Sequence, residues 1–301
     1  MNLWQNYIRP KNLSEAMDAF ATAPRPLAPI AGGTDLLLDL EQGRHSSVQT
    51  LIDVTSIAEM TLLEVRGDEL FIGAAVPVNR IVLDPLAVAH AQALTEACNL
   101  IAGPQVRNVA TLGGNVAHAL PAADGTIALL ALDAEAEIAS APGTRRIQFK
   151  ELFVGPGKSS LRHGEELIVG FYFPIHQTLK VSQTFRVSSC FKRIMRPQGV
   201  ALPILNCAVW LERGENVIKD VRIAVGPGGG TPFRAAQAEE SLRGKSLDET
   251  TFESALEALL AQAHFRTSAR RASADYRQHL VVTLFKETLE SAWERAGAGL
   301  T

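Results

Sequence analysis

Two glycine pairs, each set where an apolar run gives way to a helical pattern, constrain this chain more than any other feature. In Ile30-Ala-Gly-Gly-Thr-Asp35 the short strand-like run Pro26–Ile30 ends on Gly-Gly, and Leu36-Leu-Leu-Asp-Leu40 then starts a helical pattern. In Ala110-Thr-Leu-Gly-Gly-Asn115 the pair again follows a strand-like segment. Glycines at such a junction can adopt φ > 0 and let backbone N–H groups approach a bound group closely. The helix start behind them favours negative charge. Either pair alone reads as a turn. Together, with Asp124 shortly after the second, they suit a diphosphate gripped from both sides. No G-x-G-x-x-G opens a helix and no Walker lysine follows a glycine loop, so the Rossmann and P-loop readings lack their physical parts. Gly226-Pro-Gly-Gly-Gly230 reads as a tight turn, because Thr231-Pro232 follows it and no helix start is offered.

Around these loops the first half alternates strands and helices. Leu13, Ala16, Met17 and Phe20 fall on one face of a helix entered through Asn12 or Ser14. Strands are expected at Gln49–Val54 and at Met60–Val65 and Glu69–Ala75, the last two joined as a hairpin through Arg66-Gly67-Asp68. One buried helix is expected from Pro85 to Ile101 and another from Ala122 to Leu132. Leu167–Phe173 reads as a strand and Pro174–Thr178 as a linker. Strand-like runs then occupy Gln183–Ile194, Pro203–Glu212 and Lys219–Val225. Helical patterns close the chain at Ala235–Leu242, Leu247–Ala263 and Ala272–Leu289. Strands first and helices after is the order of an α+β domain.

A length of 301 residues predicts two domains, with a boundary near 174–180. Net charge is −3, which leaves no basic stripe for nucleic acid. The longest strictly apolar run, Ile127–Leu132, is six residues, against about 18 for a membrane span. No secretory leader is expected at the N-terminus, and a cytoplasmic location follows. Cys98, Cys190 and Cys207 form no C-x-x-C pair, so neither a zinc site nor an iron–sulfur cluster is expected in this chain; buried reduced thiols are. Tyr172 reads as core packing and Tyr276-Arg277 as a helix docking on the sheet. Arg266, Arg270, Arg271 and Arg277 read as a solvated helix face.

The two glycine loops, Phe71-Ile-Gly-Ala-Ala-Val76, Pro121-Ala-Ala-Asp124 and above all Ile101-Ala-Gly-Pro-Gln-Val-Arg-Asn-Val-Ala-Thr-Leu-Gly-Gly-Asn115 resemble the FAD-binding medium subunits of molybdenum hydroxylases. That family includes xanthine dehydrogenase and aerobic carbon monoxide dehydrogenase. The resemblance runs the whole length of the chain, with Phe191–Arg196 and Ser273–Arg277 similar to the family's C-terminal domain. It implies an α+β fold: an FAD-binding domain of the vanillyl-alcohol-oxidase type over 1–175, built from two α/β subdomains split near residue 57, and a CO-dehydrogenase-flavoprotein-like domain over 176–301.

The resemblance also implies roles. Pro29, Ile30, Ala31, Gly32, Gly33, Thr34, Asp35 and Leu36 would form the first diphosphate loop, and Thr111, Leu112, Gly113, Gly114 and Asn115 the second. Ile101 would be an apolar wall on the cofactor. Asp124 would accept from a cofactor hydroxyl. Ile168 would offer backbone contacts, and Lys192 would sit by the pyrimidine edge of the flavin and favour its reduced, anionic form. Relatives often carry Asn-Ala-Ser where this chain has His118-Ala119-Leu120, so His118 either replaces a lost polar contact or is a surface-loop histidine. A four-cysteine insertion found in some relatives is absent. No acid–base pair or nucleophile stands out, and an electron relay needs none. The implied activity is an FAD-dependent oxidoreductase subunit. It would take electrons from two-iron two-sulfur clusters on a small partner, fed by the molybdenum cofactor of a large partner, in a dimer of heterotrimers. The alternatives are a self-sufficient FAD-dependent reductase of the same cofactor fold and a scaffold that only assembles the complex.

Overall fold

The computed structural model describes residues 3–175, 186–196, 202–269 and 271–297. Most of the expected linker, the start of the run at Gln183 and Arg270 of the basic cluster lie outside them. The chain begins with a three-stranded parallel sheet in which Thr50–Asp53 lies between Asn6–Ile8 and Leu27–Ile30. All four residues of the central strand are buried, as expected of a parallel strand covered on both faces. Helix Leu13–Thr22 covers one face with Ala16, Ala19 and Phe20. It starts at Asn12, whose side chain accepts from Glu15 N at 2.9 Å. Helix Leu36–Glu41 covers the other face, where Leu40 packs with Ala28, Ile30 and Leu51.

A five-stranded antiparallel sheet follows, in the order Leu63–Arg66, Glu69–Gly73, Leu167–Pro174, Glu135–Ser140 and Gly143–Gln148. The first two strands form the expected hairpin, turning at Gly67 with φ +67°. The hairpin from Glu135 to Gln148 has no counterpart in the sequence expectations. The helix expected over 85–101 is two helices, Pro85–His90 and Gln92–Leu100, broken at Ala91 with φ −136° and ψ 46°. Helix Asp124–Ala131 is buried along its whole length, because helices Gln92–Leu100 and Leu112–Ala117 and the strands of the C-terminal sheet pack around it.

The C-terminal sheet is antiparallel, with Arg186–Ile194, Leu205–Arg213, Ile218–Gly226 and Phe233–Arg234 in sequence order. Its period-2 alternation sends side chains two ways. Phe191, Ala208, Trp210 and Ala224 join the core of the preceding domain. Cys190, Cys207, Val209, Leu211, Val221 and Ile223 face helices Ala236–Leu242, Glu249–Gln262 and Ala274–Gly297. The chain is thus α+β, with its last strands serving two cores. Its three cysteines are buried and unpaired, and burial raises the Cys190 thiol to about 11 and the Cys207 thiol to about 12.

The solvated-face reading of the basic cluster fails at Arg277. That side chain is 3% exposed, and its guanidinium donates to the carbonyls of Ile204 and Arg266. Tyr276, next to it, is exposed. Tyr172 is buried as expected, its hydroxyl accepting from Arg66 and its ring covered by the Arg146 guanidinium at 3.3 Å.

Asp53 ends the central parallel strand and accepts from Tyr7 Oη at 2.8 Å, Thr55 N at 2.9 Å and Thr55 Oγ1 at 2.6 Å. Burial alone would raise its pKa, but the Thr55 and Tyr7 hydrogen bonds and the Arg9 charge hold it below the ordinary carboxylate value. A depressed folded pKa contributes stability above the unfolded value of about 4, and loses it as the pH falls through the folded value. Asp53→Asn is expected to cost about 1–3 kcal/mol near neutrality. In thermal melts the gap between variant and parent should narrow on acidification below about pH 4; a gap that stays constant with pH would contradict the assignment.

Candidate flavin site

The first glycine loop leaves the exposed Pro29 and the buried Ile30 of strand Leu27–Ile30 and enters helix Leu36–Glu41, whose Leu36 packs back on the same small core. Gly33 has φ +67°, a left-handed conformation that favours glycine. Gly32 is demanded by proximity: a Cβ there would lie 2.0 Å from Val109 O and 2.9 Å from Ala110 N. The loop is therefore pressed, backbone on backbone, against the segment leading into the second glycine pair. The N–H groups of Gly32, Gly33, Thr34 and Asp35 find no acceptor among the described residues. Three of these residues, Gly32, Gly33 and Thr34, are half-buried and Asp35 is exposed; donors withdrawn from water are costly unless something accepts from them, and an anionic diphosphate fits that need.

The second glycine pair differs from its expected form. Gly113 and Gly114 lie inside helix Leu112–Ala117, with no strand element before them, only a bridge between Pro77 and Thr111. Their turn is closed internally. Leu112 N donates to Val76 O at 3.2 Å, Gly113 N to Ala74 O at 2.9 Å and Asn115 N to Thr111 O at 3.0 Å. Gly114 N donates to the Thr111 hydroxyl at 3.1 Å, the N-cap bond of this helix. Gly113 is required by packing, since a Cβ would be 2.6 Å from Ala74 Cβ. Gly114 is exposed, and a Cβ there would meet only Thr111 Oγ1, at 3.2 Å. The second segment thus braces the first and offers few free backbone donors of its own.

His118 joins the two segments, with Nδ1 at 3.9 Å from Asp35 Oδ2. Ile101 is half-buried at the end of helix Gln92–Leu100. Ala102 beside it has φ +44°, and Arg107 Nη1 donates to Ile101 O at 3.0 Å and to Ala102 O at 2.8 Å. Ile168 is buried in the middle strand of the five-stranded sheet, so its side chain belongs to the core and only its backbone could meet a ligand.

Asp124 is 4% exposed and accepts from Arg193 Nη1 at 2.5 Å and from Asn206 Nδ2 at 2.7 Å. Burial pushes its carboxyl pKa up, against the opposing pull of Arg193 and Asn206. Lys192 is 3.6 Å from Glu287 on the last helix. It lines a cavity of about 340 Å³ with Leu100, Phe191, Arg193, Thr283 and Glu287. Sequence reasoning missed Arg193, Asn206 and Arg107. The Lys192-Arg193 dipeptide on a strand was the available signal, since neighbouring side chains leave a strand in opposite directions.

A family model for the FAD binding domain in molybdopterin dehydrogenase matches residues 3–176. The model for the CO dehydrogenase flavoprotein C-terminal domain matches residues 189–292. The xanthine dehydrogenase FAD-binding subunit of Escherichia coli O157:H7 is 32% identical over 98% of this chain and 98% of its own. The nicotine 6-hydroxylase medium subunit of Paenarthrobacter nicotinovorans is 32% identical over 96% of this chain and 97% of its own. Among solved structures, carbon monoxide dehydrogenase from Hydrogenophaga pseudoflava matches with a TM-score of 0.88 at 26% identity, covering 97% of this chain and 98% of that one.

The two segments separate by mutation. Gly32→Ala should melt several degrees lower and bind no FAD, because its methyl group meets fixed backbone. Gly114→Ala should fold with nearly parental stability. Thermal melts and flavin content check both, and equal effects of the two substitutions would contradict the division of labour.

Proposed function

This chain belongs to the FAD-binding medium subunits of the molybdenum hydroxylases, and from that premise we propose that it serves as the electron-relay subunit of such a complex. It is an oxidoreductase subunit that would receive electrons from the iron–sulfur clusters of a small partner and deliver them to an external acceptor. Oxidation of the organic substrate would belong to a large partner carrying the molybdenum cofactor. FAD, when bound, supplies redox chemistry that no side chain can, accepting and returning electrons singly or in pairs. The observation that carries the reading is the row of N–H groups from Gly32 to Asp35 that find no acceptor among the described residues.

In this reading Gly32, Gly33, Thr34 and Asp35 bind the diphosphate through backbone donors, with Pro29, Ile30, Ala31 and Leu36 fixing the path of the loop. Thr111, Leu112, Gly113, Gly114 and Asn115 brace it from below. Ile101 forms an apolar wall, the backbone at Ile168 bounds the site, and Asp124 accepts from a hydroxyl. Lys192 lends positive charge to the cavity and so favours added electrons there. Two copies each of this chain and its two partners would make the complete assembly. Among the described residues no helix is long and apolar enough to cross a membrane.

The purified full chain should be yellow and release an equimolar amount of intact FAD on denaturation. The complex captured from its host should contain iron and molybdenum, and the chain alone should hydroxylate nothing. A chain that stays colourless and takes up no added FAD, or a captured complex without those metals, would contradict the proposal.

A further inference from the structure

Asp124 opens a helix of the first domain, yet the side chains that hold its carboxylate come from the C-terminal sheet. Arg193 donates to Oδ2 from strand Arg186–Ile194. Asn206, on the neighbouring strand, donates to Oδ1 and also to Ala122 O at 3.1 Å. Asn206 is 0% exposed and the Arg193 side chain 6%. Gly226, one strand further, comes so close that a Cβ would lie 2.3 Å from Asn206 Oδ1, so the amide has no room to turn away. The carboxylate is therefore held by two rigid partners across the seam between the domains.

A buried ion pair of this kind is weak evidence of a stabilising role, because desolvating two charges offsets most of their attraction. This one is also incompletely satisfied as a fastening. Among the described residues Arg193 Nε is buried with no partner and Nη2 meets only the Met195 thioether at 3.2 Å. Arg193 moreover borders the cavity that Lys192 lines. We propose that Arg193 is a positioning residue of the flavin site, which acts through Asp124 by fixing the charge and direction of its carboxylate. The C-terminal domain would in this way complete a cofactor site whose phosphate loop lies in the first domain. The inference rests on the proposed role of Asp124 as acceptor of a cofactor hydroxyl.

Removing Arg193 would leave a distinctive trace. Arg193 and Asn206 face Asp124 from the C-terminal sheet, and Cys98 faces it from helix Gln92–Leu100, its thiol kept neutral by burial and by the Asp124 charge itself. Lys192 and Glu287 pair with each other at the cavity. Without the Arg193 charge the main pull opposing burial is lost, and the Asp124 carboxyl moves further above its ordinary value.

FAD titrations of the full chain, read by flavin fluorescence, test this. Arg193→Met should bind FAD more weakly than the parent chain by a factor that grows as the pH is lowered, because a carboxyl without the Arg193 charge is protonated at higher pH. Asp124→Asn should bind about tenfold or more weakly at every pH. The double variant D124N/R193M should bind no more weakly than D124N, because Arg193 acts only through Asp124. That comparison stands even if Arg193→Met alone fails to fold, since the double variant buries no unpaired charge. A flat pH profile in a folded Arg193→Met chain, or a double variant weaker than D124N, overturns the inference and leaves the Asp124 reading intact. Unchanged binding by D124N would instead overturn the Asp124 reading, and this inference with it.

Discussion

The contact between Gly32 and the Val109–Ala110 backbone is the constraint on which the site depends. A separation that leaves no room for a methyl group fixes the first glycine loop against the second segment. The loop cannot then fold back to satisfy its own N–H groups. Among the described residues the donors from Gly32 to Asp35 stay free, whereas Val76, Ala74 and Thr111 supply the acceptors for residues 112–115. One segment is rigid and self-satisfied so that its neighbour can be rigid and unsatisfied, which is the preorganisation an anion site needs.

The same economy governs the C-terminal sheet. Its alternation gives Phe191, Ala208 and Trp210 to one core and Cys190, Cys207 and Val209 to another, so the sheet is a shared wall and cannot shift without disturbing both. Arg193 and Asn206 sit on that wall and reach Asp124. Placing a charge pair at a seam lined on both sides by close packing gives it a fixed geometry that an exposed pair, screened and mobile, would lack.

Much of this was legible in the sequence. The Asn12 cap, the Arg66-Gly67-Asp68 hairpin and the strands from Leu205 to Gly226 follow from local periodicity and turn chemistry. The family resemblance, resting on the motif from Ile101 to Asn115, points to the cofactor directly. What stayed hidden depends on partners distant in sequence. Gly113 and Gly114 look like a loop until Ala74 is seen beneath Gly113 and the Thr111 hydroxyl capping Gly114. The break at Ala91 is masked by an alanine-rich run that suits a continuous helix. Strand Gly143–Gln148 is almost wholly exposed and so carries no apolar alternation to read. Arg277 looks solvated until the carbonyls of Ile204 and Arg266 are found around it.

In the proposed site the cofactor is gripped by the free donors of the first loop and merely braced by the second. Amide hydrogen exchange of the full chain, followed with and without FAD, separates the two directly. Slow exchange is expected at residues 112–115 in both states, with new protection at residues 32–35 only when FAD is present. New protection at 112–115 with none at 32–35 would contradict it.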